Sequence, residues 1–299
     1  MIKFENSHSK RLYYESLLSM TYEGAIHCLL NKYGRVVDDF FREQSYTRFL
    51  QGDIKNITKG KYSKTSEGLY CHHIDENKYE NLSSLNYIKN FKYPFIYQKK
   101  ERLVYCDLFE HLILHALIIK ETKAQYGLSG YEIFLYPTAT QWFQKKLNPK
   151  PEWMKKCKQR AYITPTDAKD LLNKIEDFTK PVREAYFAKL QAESKQRIKQ
   201  EKANRLGMTI PQYEEYLIQE ERKEKERLRL EELKKKDDFN KKYPKLKKIG
   251  VDNNTPRKKI LNILYEHGYY KYFTKKKDFY DSKLTFIRDK LLEELNNKL

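Results

Sequence analysis

Four of the chain's seven histidines lie within residues 67–117, and their spacing constrains the local fold more than any other feature of the sequence. They form two pairs, first His72 and His73, then His111 and His115. Residues 68–71 and 103–106 are rich in apolar and aromatic side chains, which is typical of short strands. Residues 108–120 carry leucine and isoleucine at helical intervals, which predicts a largely buried helix. The stretch therefore predicts a strand, a long connection, a second strand and a helix.

The spacing within each pair limits how the histidines can act. His111 and His115 are four residues apart, so on a helix both imidazoles project from one face, as in metal-chelating pairs. Adjacent strand residues point to opposite faces, so His72 and His73 can share a site only in different roles or where the strand bends. Three histidine ligands with a water form an open catalytic shell, and a fourth histidine suits a general base. Either pair alone is uninformative, because most histidines on apolar helices are core residues whose hydrogen bonds are satisfied. The two pairs together, with their flanking strands and the helix, indicate a metal site.

This order of paired histidines, second strand and His-x-x-x-His helix resembles the HNH, or His-Me finger, endonuclease family. Residues 101–115 resemble the family's Asn-Leu-Val ending with its His-x-x-x-His, and residues 67–76 are similar to HNH proteins of Gram-positive bacteria and their mobile elements. The resemblance covers residues 65–120. It implies one divalent metal ion (Mg²⁺, Mn²⁺, Ni²⁺ or Zn²⁺), held by His72, His111 and His115. It also implies His73 as the general base that activates water against a phosphate.

The motif departs from the family at one position. The family's middle Asn, which ties the loop to the strand by backbone hydrogen bonds, corresponds to Arg102. Arginine has hydrogen-bond donors but no acceptor, so Arg102 cannot replace both the donor and the acceptor of that Asn. It can instead reach a phosphate, and we count it with His73 as catalytic. Asp75 and Glu76 follow the histidine pair; we expect surface carboxylates in preference to partners of an imidazole or an extra ligand.

The charge of the chain points to a polyanionic partner. The formal net charge is +19, which favours nucleic acid, with an anionic membrane surface as the alternative. Two groups of lysines are candidate phosphate contacts: Lys59, Lys61 and Lys64 before the motif, and Lys275, Lys276 and Lys277 near the C-terminus. We expect DNA, with duplex favoured, as the partner.

The cysteines and the hydropathy pattern bear on the compartment. The four cysteines form no Cys-x-x-Cys pair, which excludes a zinc ribbon around the site and indicates reduced thiols. No apolar run approaches membrane-spanning length, and no charged-then-apolar signal segment follows Met1. We therefore expect a cytoplasmic protein that does not enter the membrane.

The predicted fold class is mostly α with a small embedded β-hairpin, the ββα-metal finger, and thus α+β. Five regions follow from composition and turn signals. They are a helical basic N-terminal region (1–64), the HNH nuclease core (65–120), a helical support region (121–180), a charged helical arm or linker (181–248) and a small helical C-terminal module (249–299).

The sequence thus predicts a metal-dependent HNH endonuclease that hydrolyses DNA, for restriction, phage defence or mobile-element biology. Two alternatives stay open: a catalytically inactive nucleic-acid-binding protein of the same fold, and a ribonuclease of the same fold. Cutting both strands with one site requires a homodimer or two successive nicks, and the sequence leaves both open.

Overall fold

A computed structural model describes residues 6–299 of the chain, which divides into two compact units, Met1–Lys195 and Gln196–Leu299. Within the described residues, regular structure is helical apart from one two-stranded antiparallel sheet and two isolated bridges. The predicted mostly α fold with a small embedded hairpin is therefore confirmed. None of the helices formed by residues 6–299 combines the length and the apolar character that crossing a bilayer requires.

The elements of the first unit surround the hairpin and the helix that follows it. In chain order they are α1 (Ser7–Leu18), α2 (Tyr22–Tyr33), α3 (Glu43–Gln51), β1 (Tyr70–His73), α4 (Leu85–Phe91), β2 (Leu103–Cys106), α5 (Leu108–Glu121), α6 (Tyr136–Ala139), α7 (Glu152–Arg160) and α8 (Pro165–Arg205). Short 3₁₀ turns cover Thr65–Glu67, Ile74–Asn77, Phe95–Gln98 and Lys100–Arg102, and π-helical turns cover Gly130–Leu135 and Thr140–Gln144.

The hairpin pairs β1 with β2 in antiparallel register, with Tyr70 opposite Cys106 and His73 opposite Leu103. The second strand matches the predicted range, but the first begins two residues later than residue 68. Gly68 ends a 3₁₀ turn with φ 80°, so the backbone becomes extended only after it. Because strand side chains alternate, the shift places both histidines of the first pair inside β1, on opposite faces.

Helix α5 forms the centre of the first unit's core. Its N-cap, Asp107, accepts a hydrogen bond from the Glu110 backbone at 3.0 Å, and the Glu110 carboxylate accepts one from the Asp107 backbone at 2.7 Å. This capping box starts the helix at Leu108, the first residue of the predicted apolar run. Nearly all of its side chains are buried, against α1, α2 and the hairpin.

Two helical segments continue through a proline. The segment from Gly130 to Gln144 is helical, with Pro137 in α6 and a π-helical turn on each side of α6. Helix α8 passes through Pro181 and reaches Arg205. The proline removes one backbone donor, and the many Lys, Glu, Arg and Ala residues after it have high helix propensity, so the helix continues.

The second unit is a helical module with its own core. Its helices are α9 (Ile210–Lys242), α10 (Arg257–Leu264), α11 (Lys276–Ser282) and α12 (Arg288–Lys298), with a 3₁₀ turn at Leu246–Ile249 and a π-helical turn at Tyr265–Tyr269. The core contains Phe239, Leu246, Ile260, Phe279 and Leu292. The boundary between the units, after Lys195, falls inside the predicted charged region 181–248.

Gly68, which precedes β1, provides a test of how tightly the hairpin is held. In Gly68→Ala the new methyl would lie 2.5 Å from the Lys156 carbonyl oxygen and 2.7 Å from Arg160 Cβ, at a φ of +80°. We expect the free energy of unfolding to fall by about 2–4 kcal/mol, from backbone strain and overpacking together. Urea unfolding followed by circular dichroism measures this. Gly52→Ala is the matched control, because Gly52 has φ +90° but open space around it; equal losses in the two variants would contradict the packing argument.

Candidate metal centre

Three histidines converge where β1 faces α5. His72 comes from the strand, and His111 and His115 come from successive turns of the helix. The ring centroids are 5.0 Å apart for His72 and His111, 5.3 Å for His72 and His115, and 5.1 Å for His111 and His115. One nitrogen of each ring lies within 4.8 Å of one nitrogen of each other ring. The structure thus brings together the three residues predicted as metal ligands.

Neighbouring groups fix the proton positions on two of these rings. The Tyr22 hydroxyl donates to the Ile74 carbonyl at 2.9 Å, so it accepts from Nε2–H of His72 at 2.8 Å. Nδ1 of His115 donates to the Gly127 carbonyl at 2.9 Å, because a carbonyl can only accept. For neutral rings, the lone pairs therefore lie on Nδ1 of His72 and Nε2 of His115.

Burial keeps the imidazoles of His72, His111 and His73 neutral. It lowers the pKa of His72 to about 3, against the opposing effect of the Glu76 carboxylate. Burial likewise holds the pKa of His111 well below its usual value and lowers the pKa of His73. The pKa of Tyr22 is raised well above its usual value, again mainly by burial, so its hydroxyl keeps the proton that it donates. A neutral imidazole is the form that binds metal.

Glu76, in the 3₁₀ turn Ile74–Asn77, adds a carboxylate to the cluster. Its oxygens lie 3.2 Å from Nε2 of His115, 3.6 Å from Nδ1 of His72 and 3.8 Å from Nδ1 of His73. The expectation of a surface carboxylate at this position was wrong, because the turn folds the side chain back toward β1.

Asp75 also lies inside the fold, and it pairs with Arg102. The guanidinium donates to the Asp75 carboxylate at 2.7 Å, and Asp75 is 3% exposed, so its expected surface position was wrong as well. The Arg102 side chain is 42% exposed. The pair joins the turn after β1 to the residue before β2, while Nε of Arg102 and one oxygen of Asp75 are buried without a hydrogen-bond partner.

His73 projects from the opposite face of β1 and is 2% exposed. Its Nε2 lies 3.1 Å from Oε1 of Gln98, whose amide nitrogen donates to the Leu82 carbonyl at 2.9 Å. That donation fixes the orientation of the amide, so Oε1 accepts from Nε2–H of His73 and the lone pair lies on Nδ1. The ring packs 4.5 Å from the ring of Phe40. The second histidine of the pair is thus held apart from the three-ring cluster, with Nδ1 near Glu76.

The lysines predicted to contact phosphate lie at the surfaces of the two units. Lys59, Lys61, Lys275 and Lys277 are exposed, and Lys64 and Lys276 are half-buried. The Lys64 ammonium lies 4.8 Å from the centre of the Tyr105 ring, and that of Lys276 lies 3.8 Å from the Glu266 carboxylate. The four exposed lysines are available to an external anion.

The donor set of the cluster fits a divalent metal ion. Nδ1 of His72 and Nδ1 of His111 are buried and have no hydrogen-bond partner. A buried polar atom without a partner is unfavourable, and a cation between the rings would satisfy both nitrogens. Three imidazoles suit Zn²⁺, Cu²⁺, Ni²⁺ or iron. The buried cluster of His72, His111 and His115 can therefore hold a metal ion.

Sequence reasoning missed several residues that shape the site. Tyr22 and Gln98 are far from the histidine pair along the chain, and nothing in their local sequence marks them. The inward position of Glu76 could have been predicted. In a 3₁₀ turn that follows a strand, a residue three positions after His73 returns toward the end of the strand. Nothing in the sequence marks Gly130 as a neighbour of the site, although a Cβ there would lie 2.3 Å from Cε1 of the His115 ring.

Comparisons with known proteins do not identify a relative. No model of a known family matches the sequence, no curated protein matches it significantly, and no solved structure matches the fold significantly. The site is therefore interpreted from its own geometry.

Removal of the Tyr22 hydroxyl tests the hydrogen bond that orients His72. In Tyr22→Phe we expect Zn²⁺ affinity to fall by about 10–100-fold, because the partner that holds the ligand tautomer is lost. Competition with a chromophoric chelator measures the affinity. Tyr46→Phe is the matched control, since it removes a buried hydroxyl that donates to the Tyr93 carbonyl at 2.8 Å, away from the cluster. An equal fall in both variants would mean that the effect is one of stability.

Gly130 tests how closely the backbone packs on His115. In Gly130→Ala the methyl would lie 2.3 Å from Cε1 and 2.7 Å from Nδ1 of His115, so the ring must move and lose its bond to Gly127. We expect at least about a tenfold loss of Zn²⁺ affinity. In Gly268→Ala, also in a π-helical turn, the methyl meets only the flexible side chain of Lys298. Unchanged affinity in Gly130→Ala would show that His115 is not a ligand in this position.

Proposed function

We propose that the chain is a divalent-metal-dependent endonuclease of the HNH type that hydrolyses phosphodiester bonds in DNA. The observation that carries the proposal is the combination of a buried three-histidine cluster with a separate histidine, His73, whose unprotonated nitrogen faces the carboxylate that borders the cluster. A metal site alone needs only the cluster. The order of strand, strand and helix, and the motif resemblance, support the same conclusion.

His73 is the proposed general base. Its Nδ1 would take the proton from a water molecule that attacks phosphorus, while Nε2–H stays bonded to Gln98 at 3.1 Å. The amide of Gln98 is held by the Leu82 carbonyl, so the ring stays in one tautomer and one orientation. This fixed arrangement provides the positioning that proton transfer requires.

The metal ion would be held by His72, His111 and His115. When bound, such an ion acts as a Lewis acid that stabilises negative charge on the phosphate oxygens. Arg102 would add a positive charge at the edge of the site. Its half-exposed guanidinium uses one nitrogen for Asp75 and has further donors for a phosphate.

Charge supports nucleic acid as the substrate. The net charge is +19, and residues 241–299 alone contain 16 Lys and Arg against 7 Asp and Glu, an excess of nine. Such an excess favours phosphate backbones without sequence preference. We propose that Lys59, Lys61 and Lys64 contact DNA in the first unit, and Lys275, Lys276 and Lys277 in the second.

Duplex DNA is the proposed substrate. The cytoplasm is the proposed compartment, where the four free cysteines stay reduced.

One observation favours a second candidate, a nucleic-acid-binding protein in which the metal is structural. His72, His73 and His115 are 1%, 2% and 5% exposed, respectively. A scissile phosphate can reach His73 only after movement of the residues that cover it. A structural metal site needs no such movement.

A plasmid-cleavage assay with purified full-length protein separates the two candidates. It uses supercoiled DNA with Mg²⁺, Mn²⁺, Ni²⁺ or Zn²⁺, and the variants His73→Ala and His111→Ala. We expect His73→Ala to lose about 10²–10⁴-fold in cleavage rate while retaining metal, because only the base is removed. His111→Ala should lose both metal and cleavage. His27→Ala is the control, since that histidine is 70% exposed beside Glu23.

DNA binding without cleavage under every metal would favour the structural candidate over the nuclease. Full activity of His73→Ala would remove that residue from the mechanism. Comparing duplex DNA with structured RNA at equal salt then identifies the substrate, because phosphate contacts alone bind both.

A further inference from the structure

We propose that Glu76 is a fourth protein ligand of the metal, which makes the centre a three-histidine, one-carboxylate site selective for Zn²⁺-like transition metals over Mg²⁺. The inference rests on the metal site of the proposed function and deepens it. It concerns the identity of the bound ion and the number of positions left open to other ligands.

Two separations between the Glu76 carboxylate and the imidazoles are close to the edges of a coordination shell. A tetrahedral site with metal–ligand distances of about 2.0–2.1 Å has edges of about 3.3–3.4 Å. The Oε2 atom of Glu76 lies 3.2 Å from Nε2 of His115 and 3.6 Å from Nδ1 of His72. These nitrogens are the ones left with lone pairs by Gly127 and Tyr22. The carboxylate therefore approaches the two atoms that are prepared to bind a cation.

Glu76 is held in this place by its neighbours. It lies in the 3₁₀ turn Ile74–Asn77, whose first carbonyl accepts from the Tyr22 hydroxyl at 2.9 Å. The next residue, Asp75, is anchored by Arg102 at 2.7 Å. The two residues that precede Glu76 are thus anchored, which limits the movement of the turn that carries the carboxylate, as expected for a ligand.

The charge around Glu76 is unbalanced without a cation. The side chain is 16% exposed, and among residues 6–299 its ion-pair partners within 4 Å are all histidines: His72, His73 and His115. No lysine or arginine of the described chain pairs with it. A largely buried carboxylate is unfavourable unless it is paired or coordinates a metal. A divalent cation between the carboxylate and the imidazoles supplies the missing positive charge.

The ligand set restricts the metal. Imidazole suits zinc, copper, iron and nickel, whereas Mg²⁺ prefers oxygen ligands in an octahedral arrangement and keeps several waters. Three nitrogens and one carboxylate thus disfavour Mg²⁺. Four protein ligands also fill a tetrahedral shell, so a further oxygen can enter only by expansion to five ligands or by displacement of Glu76.

Metal titration of full-length protein stripped of metal tests the inference without reference to activity. Zn²⁺ affinity is measured by chelator competition, and Co²⁺ is added alone because its visible absorption reports coordination number. In Glu76→Gln we expect a fall in Zn²⁺ affinity of at least about a hundredfold, above the range typical of residues that only support a ligand. The Co²⁺ spectrum should change, and excess Mg²⁺ should not displace Zn²⁺ from the wild type.

Glu15→Gln is the matched control, because it neutralises a carboxylate of similar burial, 14% exposed, that pairs with Arg11 and Lys174 away from the cluster. It should keep Zn²⁺ affinity and the Co²⁺ spectrum of the wild type. Glu76→Asp, which retains the carboxylate, should restore part of the affinity, and circular dichroism of each variant checks folding. Equal losses in Glu76→Gln and Glu15→Gln, or a wild-type Co²⁺ spectrum in Glu76→Gln, would overturn the inference.

The outcomes separate this inference from the nuclease proposal. If His111→Ala loses metal and Glu76→Gln does not, the three-histidine site stands and the fourth ligand is rejected. If Glu76→Gln loses metal with the expected spectral change, the fourth ligand stands even where the wild type cuts no DNA.

Discussion

A buried carboxylate at the start of α5 holds the site in place. Glu110 is fully buried and accepts hydrogen bonds from the hydroxyls of Tyr13 and Tyr33 at 2.9 Å and from the Lys32 ammonium at 2.6 Å. A buried charge is tolerated only with such complete pairing, so α5 has one permitted rotation about its axis. A shift of one residue would turn the helix by about 100° and carry His111 away from β1. The geometry of the metal centre therefore depends on a network that contains none of its ligands.

The parts of the site that follow from local periodicity could be predicted from the sequence. Four-residue spacing on a helix places His111 and His115 on one face, and strand alternation separates His72 from His73. The apolar pattern of residues 103–120 predicts β2 and α5 nearly to the residue. These elements meet because strand, strand and helix are close along the chain, and all three bury apolar side chains.

The remaining parts depend on contacts that no local pattern contains. Tyr22 reaches His72 across fifty positions of sequence, and Gln98 reaches His73 across twenty-five. Glu76 stands in a polar stretch that is typical of a surface loop, and only the turn after β1 brings it inward. Likewise, Pro181 ordinarily ends a helix, yet the high helix propensity of its neighbours carries α8 past it. Tertiary packing and summed propensity decided these positions.

The tautomer of His73 bears on whether the site is catalytic or structural. Nε2–H of His73 donates a hydrogen bond to Gln98, and its Nδ1 accepts none. A general base needs such a free lone pair. A metal ion held by the other three rings does not need it. A site evolved only to bind metal could place a phenylalanine there, since the ring already packs on Phe40. Burial of the His73 ring lowers its pKa and keeps it neutral, and the bond to Gln98 keeps it oriented, with Nδ1 3.8 Å from Glu76. That combination supports the proposed nuclease, which would have to open to admit its substrate.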